Sequence, residues 1–91
     1  MYRKIIGHFG ADKQILKSME ELSELIQALA RHQVEPSEAN LYNIKEEIAD
    51  CTIMIMQLCI IYNIKESEIS FIKETKLARV MERIKEDNDK G

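Results

Sequence analysis

"KEEIADCTIMIMQLCIIYN", Lys45 to Asn63, contains the densest apolar run of the chain. Drawn as a helix, the stretch is apolar on nearly every side: Ile48, Cys51, Ile53, Met54, Ile55, Met56, Leu58, Cys59, Ile60 and Ile61. A helix of that kind belongs in a core, so the run predicts a central buried helix. Its opening acids are out of keeping with that place. Glu47 and Asp50 fall about 60° apart on one side, and Asp50 shares its side with Met54 and Ile61. Its carboxylate is therefore expected near the core, where an unpaired charge is costly and needs a partner.

Outward from this helix, one proline and three glycines among many helix formers predict an all-α chain. A short helix is expected over Tyr2 to Phe9, ended by Gly10, and a longer one from about Asp12 to His32. In the longer helix Ile15, Met19, Leu22, Ile26 and Leu29 recur at steps of four and three, a stripe expected to face the core. Gln33 to Pro36 reads as a connection, with Ser37 as the cap of the central helix, which runs to about Tyr62. Asn63 suits a left-handed position just past that end. A fourth helix then carries Ile69, Ile72, Leu77, Val80 and Ile84, and the tail "DNDKG" is expected to fray from about residue 87.

A chain of 91 residues accommodates one domain, here 1–91, and is too short for two. At this size only about 60–65% of the unfolded surface is buried on folding, so a bundle of about four helices is expected to complete its core as a dimer or tetramer. A net charge of −3 provides no basic field for nucleic acid. The N-terminus carries no signal-like pattern, and the longest uncharged run, Cys51 to Ile64, is too short to span a bilayer. A cytoplasmic protein with no membrane partner is expected. Cys51 and Cys59 would lie about 12 Å apart along one helix, beyond disulfide reach, and read as small buried hydrophobes. His8 and His32 are isolated, which argues against zinc.

The second acidic stretch, "MEELSEL" from Met19 to Leu25, places Glu21 and Glu24 on one side of their helix as well. Two such patches on neighbouring antiparallel helices bring four carboxylates together, which repel unless a cation lies between them. Glu20 and Glu24 also lie opposite the apolar stripe beside Lys13, Lys17 and Arg31, as a plain solvated face would. The second patch fits that bland account poorly, because Asp50 opens an apolar helix. Mg²⁺ takes oxygen ligands and keeps positions open for water or phosphate, and four acids in pairs suit two such ions. On the fourth helix Lys76, Arg79 and Arg83 fall within about 60° of one another, a placement that suits a polyphosphate as well as a wet flank beside an apolar stripe. Gln14 and Lys17 share the side of Glu21 and Glu24, within reach of a phosphate or a base.

With these residues in view, the chain resembles the MazG-like, all-α nucleoside triphosphate pyrophosphohydrolases, whose hallmark is E-E-x-x-E followed by E-x-x-D. Here the motif reads Glu20-Glu21-Leu-Ser-Glu24, then Glu47-Ile-Ala-Asp50 after twenty-two intervening residues. The stretches "HFGADKQILKSMEELSELIQAL", "IKEEIADCTIMIMQLCIIYNI" and "KLARVMERI" extend the likeness over almost the whole chain. The resemblance implies Mg²⁺-dependent hydrolysis, with Mn²⁺ as a substitute, of a dNTP or non-canonical NTP between the α and β phosphates. It implies Glu21, Glu24, Glu47 and Asp50 as metal ligands and Glu20 as a further ligand or the group acting on water. Lys76, Arg79, Arg83 and Lys17 would hold the phosphates, although Val80 stands where some relatives carry asparagine. Homodimers or homotetramers with sites near subunit interfaces are implied too. The competing expectation is a non-catalytic helical module that keeps the fold and serves oligomerisation or regulation.

Overall fold

The computed structural model describes residues 1–90. Helices α1 (Tyr2–Phe9), α2 (Ala11–Val34), α3 (Glu38–Ile61) and α4 (Glu66–Lys90) account for nearly all of them, and no strand occurs among the described residues. The all-α expectation is met, with each helix where the sequence places it to within a few residues.

Local chemistry sets the boundaries. Gly10 both ends α1 and opens α2, its N–H donating to Ile6 O while its own carbonyl accepts from Gln14 N. It does so at φ 95°, ψ 145°, a region that side chains disfavour strongly. Ser37 caps α3, its hydroxyl accepting from Asn40 N at 3.0 Å. At the other end Asn63 takes φ 53°. Asn63 N donates to Ile60 O and Ile64 N to Cys59 O, the paired bonds of a Schellman ending. Glu68 reaches back to accept from Lys65 N at 3.0 Å and starts α4.

The α2 and α3 helices form an antiparallel hairpin. As α2 advances from Gln14 to Glu21, its partner on α3 falls back from Gln57 to Cys51: Gln14 donates to Gln57, and the Cys51 thiol donates to Glu21 O. The seam on α2 runs through Gln14, Ser18, Glu21, Leu25 and Ala28, the heptad spacing of a packed helix pair. On α3 it runs through Ile44, Glu47, Cys51, Met54 and the neighbours Gln57 and Leu58, with Gln57 opposite Gln14. Helix α1 lies against both.

This seam corrects an expectation. The stripe Ile15, Met19, Leu22, Ile26 and Leu29 does not face α3; Met19 and Ile26 are 60% and 67% exposed. The seam lies one residue earlier, a rotation of about 100°. Small Ser18, Ala28 and Cys51 let the two backbones approach there, so the large side chains are left on an open face.

Helix α3 is likewise covered on one side only, with Ile48 and Ile55 about half exposed. The chain turns by 116° between α3 and α4, and α4 makes no extensive packing with the other helices, bordering α3 only along an open cleft between Ile55, Met56, Cys59 and Ile60 and its own Ile69 and Lys73. Every described residue of α4 is exposed. The helix also continues through Lys90, past the point where the tail was expected to fray. No glycine or proline interrupts Lys85 to Lys90, so the helix already nucleated upstream propagates with one backbone bond per added residue. The result is extended, 55 × 37 × 18 Å with a radius of gyration of 17.3 Å, against about 12 Å for a compact domain of this length. Among the described residues no single helix is long and apolar enough to cross a membrane.

Candidate metal centre and adjoining cavity

Glu21 and Glu47 occupy seam positions that an ordinary helix pair would fill with leucine. Placement in the seam, more than any property of the acids, takes their carboxylates out of water. Glu21 keeps 12% of its side chain exposed. One oxygen of each, Oε2 in both, is fully buried and has no hydrogen-bond partner. Asp50, one turn beyond Glu47, brings its carboxylate to the same place, and an oxygen from each of the three lies within 4.8 Å of the others. Asp50 itself is exposed, which corrects its expected burial: α4 does not cover that side of α3, so the buried oxygens belong to Glu21 and Glu47.

Glu24 lies beside this triad. The Glu21 charge, chiefly, holds the Glu24 carboxyl above the usual carboxylate range, with burial and Glu20 adding to the effect. The Glu47 carboxyl is raised first by burial and then by Glu24, Glu21 and Asp50. Burial also pushes the Cys51 thiol up, with the same acids contributing. Cys51 is buried and unbridged, the small core hydrophobe expected of it. Among the described residues the Lys17 ammonium is the one cation paired with the cluster, 3.5 Å from Glu21 Oε1 and half exposed.

The remaining candidates are not gathered here. Glu20 is exposed, about 100° around the helix from Glu21. Its charge adds to the raising of Glu24 behind Glu21 and burial, and does not contribute at Glu47. Lys76, Arg79 and Arg83 line a shallow groove of their own with Val80, because α4 projects away from the hairpin. Within one chain they share no surface with the acids.

Two of the acids, Glu21 and Asp50, border one end of a cavity of about 550 Å³ roofed by α1. Ile5 and Phe9 of α1, Gln14, Lys17 and Glu21 of α2, and Asp50, Ile53, Met54 and Gln57 of α3 line it. Sequence reasoning singled out Gln14 but missed Gln57. The available signal was that Gln57 is the lone amide in the apolar stretch from Ile53 to Ile61.

An all-oxygen donor set of anionic ligands suits a hard divalent cation. An octahedral ion with bonds of about 2.0–2.1 Å places its oxygens roughly 3–4.2 Å apart, so the triad needs only small rotamer adjustments to close on one. The partnerless oxygens are the sign that the residues fit such an ion: without a counter-charge, two buried like-charged groups are held together at a cost. No protein-family model matches the chain, and no curated protein or solved structure matches it.

Proposed function

We propose that this chain hydrolyses a nucleoside triphosphate, a dNTP or non-canonical NTP, between the α and β phosphates to the monophosphate and pyrophosphate, as its MazG-like resemblance implies. The observation that carries the reading is the pair of buried, partnerless oxygens on Glu21 and Glu47, drawn from facing helices. Glu21, Glu47 and Asp50 would hold Mg²⁺, with Glu24 beside them as a fourth ligand. Bound there, the cation would polarise phosphoryl oxygens and lower the pKa of water.

The chain's own groups supply position and charge. The seam fixes Glu21 and Glu47, so little reorganisation is required of them when a substrate arrives. Lys17, half exposed and only 3.5 Å from Glu21, is free to exchange that contact for a phosphate oxygen. Glu20 must turn inward to act on the attacking water. Lys76, Arg79 and Arg83 would reach the phosphates from a second copy of the chain. Such a copy would also cover the open apolar faces of α2, α3 and α4, making a homodimer or homotetramer the working form. The uncovered α4 equally favours a second reading, a scaffolding module without catalysis.

One experiment separates the two. Pyrophosphate release is measured from a panel of NTPs and dNTPs with and without Mg²⁺, alongside thermal shifts on adding the ion. Turnover that requires the cation is expected. A folded protein that takes up divalent ions and turns over nothing would favour the scaffold, and failure to take up any divalent ion would end the hydrolase reading.

A further inference from the structure

Beyond the acids, the least expected residues of the hairpin are Gln14 and Gln57. They are 4% and 2% exposed, among the most buried side chains in the protein, and Gln57 is the largest of those that are fully buried. Gln14 Nε2 donates to Gln57 Oε1 at 2.7 Å, and Gln57 Nε2 faces Met54 Sδ at 3.7 Å. A leucine pair would fill the same seam positions with no polar group to satisfy. Each carboxamide offers two N–H donors and two acceptor lone pairs, so the single bond between them leaves most of their capacity unspent. Both side chains line the cavity that Glu21 and Asp50 border at its other end.

The cavity is therefore two-ended. Each glutamine stands two turns from an acid on its own helix, Gln14 from Glu21 and Gln57 from Asp50, or about 10 Å along the axis. That matches the length from a phosphate through a sugar to the far edge of a base. Ile5, Phe9, Ile53 and Met54 form the walls between, apolar surfaces suited to a flat ring.

We propose that Gln14 reads the hydrogen-bonding edge of a nucleobase in this cavity, with Gln57 as the positioning residue that holds its amide. The inference rests on the nucleotide reading of the acidic site and adds the base-recognition end. Because Gln57 takes up an N–H of Gln14, the Gln14 carbonyl oxygen is left to accept from an amino or imino group of the base. Its remaining N–H is left to donate to a neighbouring ring nitrogen or carbonyl. A neutral carboxamide reading a neutral edge gives base discrimination without adding charge beside the acids.

The test uses binding, so that it stands apart from catalysis. Uncharged nucleosides carrying each of the five common bases are titrated into ¹⁵N-labelled full-length protein with Mg²⁺, following the side-chain amide signals of Gln14 and Gln57. One or a few nucleosides are expected to shift both signals. Gln14→Met is expected to weaken the preferred nucleoside by about tenfold, the value of one or two neutral hydrogen bonds, and to level the ranking, while the Mg²⁺-induced thermal shift stays as in wild type. Gln14→Met/Gln57→Met leaves no unpaired amide in the seam and serves if the single variant folds poorly. If no nucleoside moves either amide signal, or if the folded variants keep the wild-type ranking, the inference is overturned even when nucleotides are hydrolysed. Absence of hydrolysis together with base-selective shifts would overturn the catalytic reading and leave this one standing.

Discussion

At the residue scale, Glu47 decides the behaviour of the metal-free protein. Its carboxyl is raised by burial and by three neighbouring acids, and that of Glu24 by Glu21. Groups whose folded pKa is raised contribute stability that is fully present below the unfolded value and is lost as pH rises through the folded value. Stability without metal is therefore expected to climb as pH falls from neutral towards the ordinary carboxylate range near 4.5, and Mg²⁺ at neutral pH should flatten the climb. Glu47→Gln removes a charge but keeps the shape. It should raise the metal-free Tm at pH 7 by a few degrees, weaken the pH dependence and abolish the Mg²⁺ shift, with pyrophosphate release reduced at least a hundredfold. Thermal scans from pH 5 to 8 check this, and an unchanged Tm with an intact Mg²⁺ response would show that Glu47 Oε2 meets no strain in the seam.

The same scale shows what a motif can and cannot reveal. The pairing of Glu21 with Glu47 and Asp50 was legible from spacing, because helix periodicity fixes which side each acid takes. The burial of Asp50 was misjudged. An apolar sequence on both flanks says that a helix can be covered all round, and only the path of α4 shows that within one chain it is not.

At the element scale, the junction between α1 and α2 controls the cavity. Gly10 at φ 95° lets α1 fold back over the hairpin with no intervening loop, and this places Ile5 and Phe9 as a roof. A Cβ at Gly10 would meet nothing within 4 Å, so the effect of substitution is confined to the backbone. Gly10→Ala is expected to cost about 1–3 kcal/mol through that conformation and to weaken substrate binding by displacing α1. Urea unfolding beside KM measurements would check both, and a variant equal to wild type in both would mean that the junction tolerates a side chain. The end of α3 was readable in advance, since Asn63 is among the few residues that enter the left-handed region easily. The α2 stripe was readable as apolar but not as open. A seam of small and polar residues one position away competes for the same helix, and periodicity alone does not rank the two.

At the scale of the molecule, a chain 17.3 Å in radius of gyration with an unpartnered fourth helix exposes much of its apolar content. On the proposed assembly, Ile26→Asp tests the idea with little risk to the single-chain fold, because Ile26 is 67% exposed there. Wild type should elute with at least twice the 10.6 kDa chain mass in size exclusion with light scattering. The variant should shift to one chain, keep its helical spectrum and lose turnover together with the partner's α4 cations. A monomeric wild type, or a variant of unchanged mass, would show that the α2 stripe is not an interface.

The sequence by itself determined the helices, their ends apart from that of α4, and the side of each helix on which the acids lie, because these follow from local propensity and a fixed turn of 100° per residue. The tertiary structure alone decided which face of α2 meets α3, which acids lose their water and which amides line the cavity. Those outcomes depend on how closely two backbones approach, a competition among whole surfaces that no single residue's chemistry resolves.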